Sequence, residues 1–337
     1  QVDMRVVGAE SRGAALQYFT GSKQHNIALR DRALTAGLRL NEYGVFNVAE
    51  GTRLAGDSEE GVYEMLGLAW VPPELREGRG EIEAAERRTL PSLVQHADLR
   101  SDLHCHTTAT DGKDDIHAML RAARANGLEY LAITDHSRAL AMANGLDEPR
   151  ALAHAEAIRR AGADVGIGVL AGIECDILPD GSLDLSDACL QELDFVVASV
   201  HSAFQQDEAT MTARLLRAIA NPCVDVIGHP TGRLLLKRPP QQLNFEAVLD
   251  ACAREGVALE INCQVDRLDL TDVHARRAAE RGVRLTISSD AHSVAALTLL
   301  KWGVAVARRA WLTPADVLNT RSLDTLRASL RRHRHRA

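Results

Sequence analysis

The sequence predicts an α/β protein whose larger part is a closed barrel of parallel strands, preceded by a small α+β region. Short apolar runs alternate with longer amphipathic stretches about seven times from residue 99 onward, which is typical of βαβ units. The first 76 residues show a different pattern of helical stretches and short strands. A chain of 337 residues has room for one large barrel with such an appendage.

The barrel strands are predicted from apolar runs that are bounded by turn residues. The stretches between them have helical spacing, as in 116–126 and 209–220. At this length, a closed barrel is favoured over an open sheet. The predicted strands are 102–104, 130–134, 169–174, 195–200, 224–228, 257–262 and 283–288.

The composition is that of an ordinary globular protein, with 46% hydrophobic and 25% charged residues. No apolar run reaches the roughly 18 residues of a membrane span, so no membrane association is expected. The net charge of −7 does not favour a protein that coats nucleic acid. Six scattered cysteines without a C-x-x-C pair predict buried thiols in a reducing, cytoplasmic compartment.

The region before the barrel is expected to fold in part. A strand is predicted at Val2–Val7, helix at 13–37, short strands at 38–48, and a capped helix after Asp57. Residues 77–98 are charged and lack apolar periodicity, which predicts a solvated linker that carries a short helix. The basic residues 331–336 are interpreted as a solvated helix end, with a phosphate contact as the alternative. The predicted domains are 1–76, 77–98 and 99–337.

Histidines and carboxylates cluster at the predicted strand ends. His104 and His106 alternate along one strand, so both imidazoles can face one ion. A single histidine at a strand end is more often a hydrogen-bonded structural residue than a ligand. Here the whole set should meet at one barrel face, because parallel strands end together. The candidate ligands are His104, His106, Asp111, His136, Glu174, His201, His229, Asp290 and His292.

The other histidines lack this placement and are interpreted as structural or surface residues. Nine nitrogen and oxygen ligands exceed the needs of one ion, so two ions that share a carboxylate, or three ions, fit the set. Imidazoles mixed with carboxylates suit Mn, Zn or Fe. Such ions lower the pKa of bound water toward about 7 and clamp phosphoryl oxygens, which predicts a metal-dependent phosphoesterase. The structural set is His25, His96, His117, His154, His274, His333 and His335.

These motifs resemble the PHP (polymerase and histidinol phosphatase) family over about residues 99–320. H-x-H is followed in order by T-D-G, T-D-H, a lone Glu, V-H, G-H-P and D-A-H. The resemblance implies a distorted seven-stranded barrel with three Mn or Zn ions, and catalytic roles for Glu174, His201 and Asp290, with Glu174 as the bridge. It implies ligand sets of His104, His106, Glu174 and Asp290; of Glu174, His201 and His229; and of Asp111, His136 and His292.

The N-terminal residues resemble the end of the palm and the thumb of family X DNA polymerases, on Tyr18-Phe19-Thr20-Gly21-Ser22 and Leu40-Asn41-Glu42-Tyr43. On composition alone, the two aromatic residues would be core residues. The resemblance implies that Asp3 is a catalytic carboxylate of polymerisation. It also implies that Tyr18, Phe19 and Gly21 line the nucleotide sugar, and that Asn26 and Arg30 contact the minor-groove side of the nascent pair.

The resemblance implies a monomeric gap-filling repair polymerase that uses dNTP with Mg or Mn, and a PHP domain that hydrolyses DNA 3′ ends. The sequence lacks an initiator Met and the family's Asp-x-Asp pair, so we expect a part of a longer protein that adds no nucleotide in primer extension. Arg233 and Lys237 are candidates for phosphate binding, with solvated charges as the alternative. Two other functions stay open: a small-molecule phosphatase that resembles histidinol phosphatase, and a non-catalytic structural PHP module.

Overall fold

The computed structural model describes residue 2 and residues 4–330, so Asp3, His333 and His335 lie outside the described residues. The chain divides into two compact units, one up to Ser92 and the other from Leu93 onward. The predicted order of a small α+β region and a larger α/β region is therefore present. Each unit is described by itself below.

The first unit combines four helices with a three-stranded antiparallel sheet of order β1-β2-β3. Ser22 and Ser58 cap the second and third helices through their side-chain oxygens, as expected for serine at a helix start. The elements are α1 (Arg12–Thr20), α2 (Lys23–Thr35), β1 (Leu38–Asn41), β2 (Gly44–Asn47), β3 (Arg53–Ala55), α3 (Glu59–Met65) and α4 (Glu81–Arg87).

The strand predicted at Val2–Val7 is wrong for the residues that are described there. Residues 2 and 4–7 form no strand, and the side chains of Val2, Met4 and Val6 are almost fully exposed. A strand needs a neighbour that completes its hydrogen bonds, and these residues pair with no strand among those described. The apolar residues of this segment do not by themselves indicate whether a neighbouring strand is available.

The segment predicted as a solvated linker at 77–98 carries its predicted short helix, α4, but some of its residues are buried rather than solvated. Ala84, Ala85 and the Glu81 carboxylate are buried in the first unit. Glu81 Oε1 lies 2.7 Å from His25 Nδ1, and this partner compensates the burial of a charged residue that the pattern had placed in solvent. Farther along, Val94 is buried in the second unit, where its N–H donates to the Leu312 carbonyl at 2.9 Å.

The second unit contains the predicted seven parallel strands, ordered β10-β9-β8-β7-β6-β5-β4. Helices connect successive strands. The strands are β4 (Ser101–Asp102), β5 (Tyr130–Ile133), β6 (Gly168–Asp176), β7 (Phe195–Ser199), β8 (Val226–Ile227), β9 (Ala258–Asn262) and β10 (Leu285–Ser288). The helices are α5 (Ile116–Ala125), α6 (Glu148–Val165), α7 (Asp187–Gln191), α8 (Glu208–Ala220), α9 (Phe245–Glu255), α10 (Asp272–Glu280), α11 (Leu300–Arg309) and α12 (Leu323–Ser329).

The first and last strands approach each other and nearly close the barrel. Cys105 and Ala291 form an isolated parallel bridge just beyond them. The buried Asn319 side chain fills the seam: its amide donates to the carbonyls of Ser101 and Ile287 at 3.0 and 2.8 Å. Its side-chain oxygen accepts the Ile287 N–H at 2.7 Å. One asparagine therefore replaces the ladder that these short strands do not form.

The barrel interior changes from apolar to polar along each strand. Alternate residues of a strand face the same side. On β6 the interior positions run from Leu170 through Gly172 to Glu174, and on β7 from Phe195 to Ser199. Leu170 and Phe195 belong to an inner apolar cluster, whereas the alternate residues pack under the helices. The two-residue alternation that places apolar side chains in the barrel interior therefore also places polar side chains there at the carboxyl ends of the strands.

The six cysteines are all free and buried, as the sequence predicts. Among the described residues, no helix has both the length and the apolarity needed to cross a membrane.

Candidate metal centre

The structure brings all nine predicted side chains together at the carboxyl ends of the strands, with Glu174 in the middle. Glu174 Oε1 lies 3.0 Å from His229 Nε2 and 3.3 Å from His201 Nε2. Its other oxygen lies 2.8 Å from His136 Nδ1 and 3.4 Å from His104 Nε2. A carboxylate shared among so many imidazoles can bridge cations.

Asp290 supplies a second buried carboxylate beside the H-x-H pair. Its Oδ1 lies 3.1 Å from His106 Nε2 and 3.8 Å from His104 Nε2. Asp290 has φ +51°, and His229 on the far side of Glu174 has φ +27°. A non-glycine residue in this conformation costs about 1–3 kcal/mol, and such residues are typical of functional sites. Their presence here indicates that placing the two side chains at the centre outweighs this cost.

Asp111 forms the more exposed edge of the cluster. Its oxygens lie 3.6 Å from His136 Nε2 and 3.4 Å from His292 Nε2. The turn that presents Asp111 needs Gly112, because a Cβ there would lie within 2.7 Å of the Thr107 backbone. The T-D-G motif thus has a steric reason for its glycine as well as a chemical reason for its aspartate.

Three groups of side chains have ligand atoms close enough to hold an ion, and their membership differs from the predicted sets. His106 belongs to two groups and His136 to two, while Glu174 groups with His136 rather than with the H-x-H pair. Neighbouring groups share members because the cluster is compact, which spacing along the chain cannot reveal. The groups are His106, Asp111, His136 and His292; His104, His106 and Asp290; and His136, Glu174 and His201.

The buried ring nitrogens fit a metal centre. His104 Nε2, both ring nitrogens of His106 and His229 Nδ1 make no hydrogen bond with any described residue. His106 Nε2 lies close to an Asp290 oxygen, yet the pair is not aligned for a hydrogen bond. Buried polar atoms left without partners are costly. For the Nε2 atoms of His104 and His106, which both lie near Asp290 Oδ1, this is expected when both face a bound cation.

The electrostatics of the cluster favour positive charge in its middle. Burial opposes ionisation of Glu174, but the surrounding imidazoles hold the pKa of this carboxyl well below its usual range. Burial likewise disfavours protonated His201, yet Glu174 and Asp176 raise its pKa to about 9. Burial and neighbouring His136 lower the pKa of His106 to about 4, so this imidazole keeps a free lone pair at neutral pH.

A second layer of carboxylates, which the sequence analysis missed, orients the imidazoles. Asp176 Oδ1 lies 2.9 Å from His201 Nδ1, and Glu260 Oε1 lies 2.8 Å from His104 Nδ1. Each carboxylate accepts the Nδ1 proton and leaves Nε2 to face the centre, as is typical of metal-bound histidines. The sequence did contain a signal for both residues. Asp176 follows Glu174 by two residues, so both face the same side of the strand, and Glu260 is an acid within an otherwise apolar strand, which predicts a buried partner.

Asp135, which the sequence did not single out, supports the edge of the cluster that contains Asp111 and His136. It accepts hydrogen bonds from the Thr107 backbone and hydroxyl at 2.8 and 2.7 Å, and from Thr110 at 2.5 Å. His154, interpreted as structural, lies 2.7 Å away through Nε2. Asp135 therefore ties the loop that carries Asp111 to the strand end that carries His136.

Arg233 does not present a free guanidinium. Its Nε donates to the Arg267 carbonyl at 2.8 Å, and its Nη2 donates to the Leu268 carbonyl. Lys237 is exposed and lies 3.4 Å from Asp266. Arg233 thus fastens two loops at the barrel rim, and phosphate binding by either residue stays a prediction.

The predicted nucleotide-contact residues of the first unit lie together at its surface. Tyr18 and Phe19 stack edge to face at 5.1 Å, and Phe19 is 52% exposed, so Phe19 is not a core aromatic. Asn26 donates to the Tyr18 carbonyl at 2.7 Å and accepts from Gln17 at 2.7 Å. Arg30 is exposed, and Gly21 has φ +70° between α1 and α2.

Comparison with known proteins identifies the class. Residues 15–77 match the family described as DNA polymerase beta thumb, and residues 102–264 match the PHP domain. A probable phosphatase of Shewanella sediminis is 32% identical over 246 residues, which cover 70% of this chain and 95% of that protein. The chain belongs to the PHP family, and its first unit carries a thumb of the DNA polymerase beta type.

One relative matches both units. The DNA polymerase/3′-5′ exonuclease PolX of Bacillus subtilis is 40% identical over 333 residues, which cover 98% of this chain and 58% of that protein. The chain thus spans little more than half the length of this relative. Among solved structures, one that aligns is the histidinol phosphate phosphatase of Lactococcus lactis, which was solved with zinc, L-histidinol and phosphate. The alignment has a TM-score of 0.46 and 18% sequence identity, and it covers 62% of this chain and 93% of that one.

Proposed function

We propose that the second unit hydrolyses DNA phosphodiesters from the 3′ end, with three divalent ions, Mn or Zn, held by the nine side chains. The observation that carries the proposal is the convergence of these residues around Glu174, with buried ring nitrogens that have no partner among the described residues. Glu174, His201 and Asp290 would be the catalytic residues by holding ions at the reacting phosphate, and Glu174 would be the ligand that two ions share. When bound, the ions supply water of lowered pKa and charge that stabilises phosphoryl oxygens.

The chain's own residues orient this chemistry. Asp176 and Glu260 hold the Nδ1 protons of His201 and His104, so that both Nε2 atoms face the centre. Asp111 and His292 are each about one-third exposed, whereas Glu174 and Asp290 are buried. The substrate therefore approaches over the Asp111–His292 edge, since the side of the cluster with Glu174 and Asp290 is closed to solvent.

The thumb is the reason to propose DNA rather than another phosphate ester. A thumb of this type precedes a PHP domain in the same sequence, and the relative that matches both is named a DNA polymerase/3′-5′ exonuclease. We propose that the chain acts in gap-filling repair as part of a monomeric polymerase that uses dNTP with Mg or Mn. Tyr18, Phe19, Gly21, Asn26 and Arg30 would contact nucleotide and template there, and Asp3 would be a catalytic carboxylate.

The test combines metal analysis with digestion of oligonucleotides that carry a label at one end. We expect bound divalent metal, loss of nucleotides from the 3′ end with Mn²⁺ present, and no digestion by Glu174→Gln or His136→Ala. Digestion that continues unchanged in both variants would point to a contaminating nuclease and would contradict the assignment.

A small-molecule phosphatase is the second candidate. Proteins named probable phosphatases are 30–36% identical, and this chain covers 75–95% of those compared. The same centre serves either substrate, so histidinol phosphate and single-stranded DNA should be compared directly. Faster hydrolysis of histidinol phosphate would favour this candidate, whereas metal binding without either hydrolysis would favour a structural module.

A further inference from the structure

We propose that apolar loop tips around the metal centre bind the unpaired nucleobases of a single-stranded 3′ end, an inference that rests on the proposed function. In the described part of the second unit, three large apolar side chains are more than half exposed: Met142, Leu236 and Val265. All three lie in loops that follow barrel strands at their carboxyl ends, namely β5, β8 and β9. The most exposed large apolar side chains among the described residues of this unit thus all follow strand ends on the side of the barrel that carries the candidate site.

Leu236 is the most prominent of the three. It lies at the tip of a hairpin closed by the antiparallel bridge of Leu234 and Arg238, and its side chain is fully exposed. The hairpin begins shortly after His229, and the Gly232 N–H donates to the His229 carbonyl at 2.9 Å. The tip therefore belongs to the same loop as a candidate ligand.

The hairpin is fixed to its neighbours. The Arg238 guanidinium lies 3.6 Å from the ring centroid of Phe204, on the loop after His201, and its Nε donates to the Gly232 carbonyl at 2.8 Å. The Leu235 N–H donates to the Asp266 carbonyl at 2.6 Å, next to Val265. Leu236 adopts φ +61°, a conformation that favours glycine. A fully exposed leucine at such a position gains nothing from packing within the chain.

The charge around the tips fits a polyanion with apolar bases. Lys237 and Arg238 follow Leu236 directly, and the exposed Arg138 precedes Met142 on the opposite loop. Asp266 offsets part of this charge at Lys237, whereas Arg238 donates to a carbonyl, which satisfies a hydrogen bond without neutralising the cation. Leucine and methionine are side chains that DNA-bending proteins insert between bases, and cations beside them hold the phosphates.

The test compares two substrates in each variant: a single-stranded oligonucleotide labelled at its 5′ end, and bis(p-nitrophenyl) phosphate, which has no nucleobase. We expect Leu236→Gly and Met142→Ser each to lower the ratio of the DNA rate to the chromogenic rate about tenfold, the size expected when an aliphatic side chain loses its apolar contact with a base. Leu236→Gly suits the backbone, so its melting temperature should not fall. Trp302→Ala removes an apolar side chain that is 46% exposed on α11, and it should keep the wild-type ratio.

A second arm replaces the last two nucleotides by abasic residues. Wild type should digest this oligonucleotide more slowly than the intact one, and Leu236→Gly should lose that discrimination. If both variants keep the wild-type ratio, the tips do not bind bases and the inference is wrong, while the proposed function stands. If wild type hydrolyses the chromogenic ester but not DNA, or hydrolyses neither, the proposed function fails first.

Discussion

At the scale of single residues, the centre depends on carboxylates behind the imidazoles as much as on the imidazoles themselves. Asp176 lies 2.9 Å from His201 Nδ1 and is buried, so it selects the tautomer that points Nε2 at Glu174. Without this carboxylate the imidazole could rotate or carry its proton on the wrong nitrogen. We therefore expect the second layer to contribute strongly to metal affinity.

Replacing Asp176 by Asn should lower metal affinity by about 10- to 100-fold, because the amide no longer provides a charged acceptor for the His201 proton. Titration with Mn²⁺ or Zn²⁺ followed by calorimetry measures the change. Asp180→Asn is the matched control, since Asp180 is exposed in the loop that follows and pairs with Arg217 at 2.9 Å. An Asp176→Asn protein that binds metal as tightly as the control would contradict the role of the second layer.

At the scale of elements, the barrel is closed by a side chain where strand pairing ends. β4 and β10 lie at opposite ends of the strand order, and Asn319 joins them through three hydrogen bonds. The ligand segments of His104 and Asp290 follow these two strands directly. The seam therefore sets the spacing between the two halves of the centre.

Replacing Asn319 by Ala should leave three backbone groups of Ser101 and Ile287 without partners and lower the free energy of unfolding by about 3 kcal/mol. Urea denaturation followed by circular dichroism measures this change. Asn126→Ala, at the exposed end of α5, should stay within about 0.5 kcal/mol of wild type. Equal effects of the two substitutions would show that the seam is held by packing rather than by Asn319.

At the scale of the whole molecule, the second unit concentrates acids and imidazoles that are stable together only when positive charge is present between them. Glu174 and Asp290 are buried about 4 Å or less from several imidazoles, and the pKa values of both carboxyls are well below their usual range. Burial opposes these charges, and the surrounding imidazoles offset it. A bound cation would do so independently of pH.

Chelation should therefore lower the melting temperature by about 5–10 °C, if metal is present at about 100 times its dissociation constant. Differential scanning calorimetry with and without EDTA measures the shift. Glu174→Gln removes the shared carboxylate but leaves the groups around Asp111 and Asp290, so its melting temperature should shift less than that of wild type on chelation. A chelator-independent wild-type melting temperature would mean that the cluster binds no metal that stabilises the fold.

The sequence by itself determined the seven strands, the nine candidate residues and the resemblance of both units to known families. It did so because period-two apolar runs and the residues that end them are local patterns. Only the tertiary structure decided which of these residues form groups, which acids hydrogen-bond to the imidazoles, and how Asn319 closes the seam. Those pairs lie far apart along the chain, as with His104 and Glu260, so their contact depends on strand order and register. The burial of α4 also depends on a distant partner. Glu81 of α4 can be buried because it pairs with His25 of α2, 56 residues earlier in the chain.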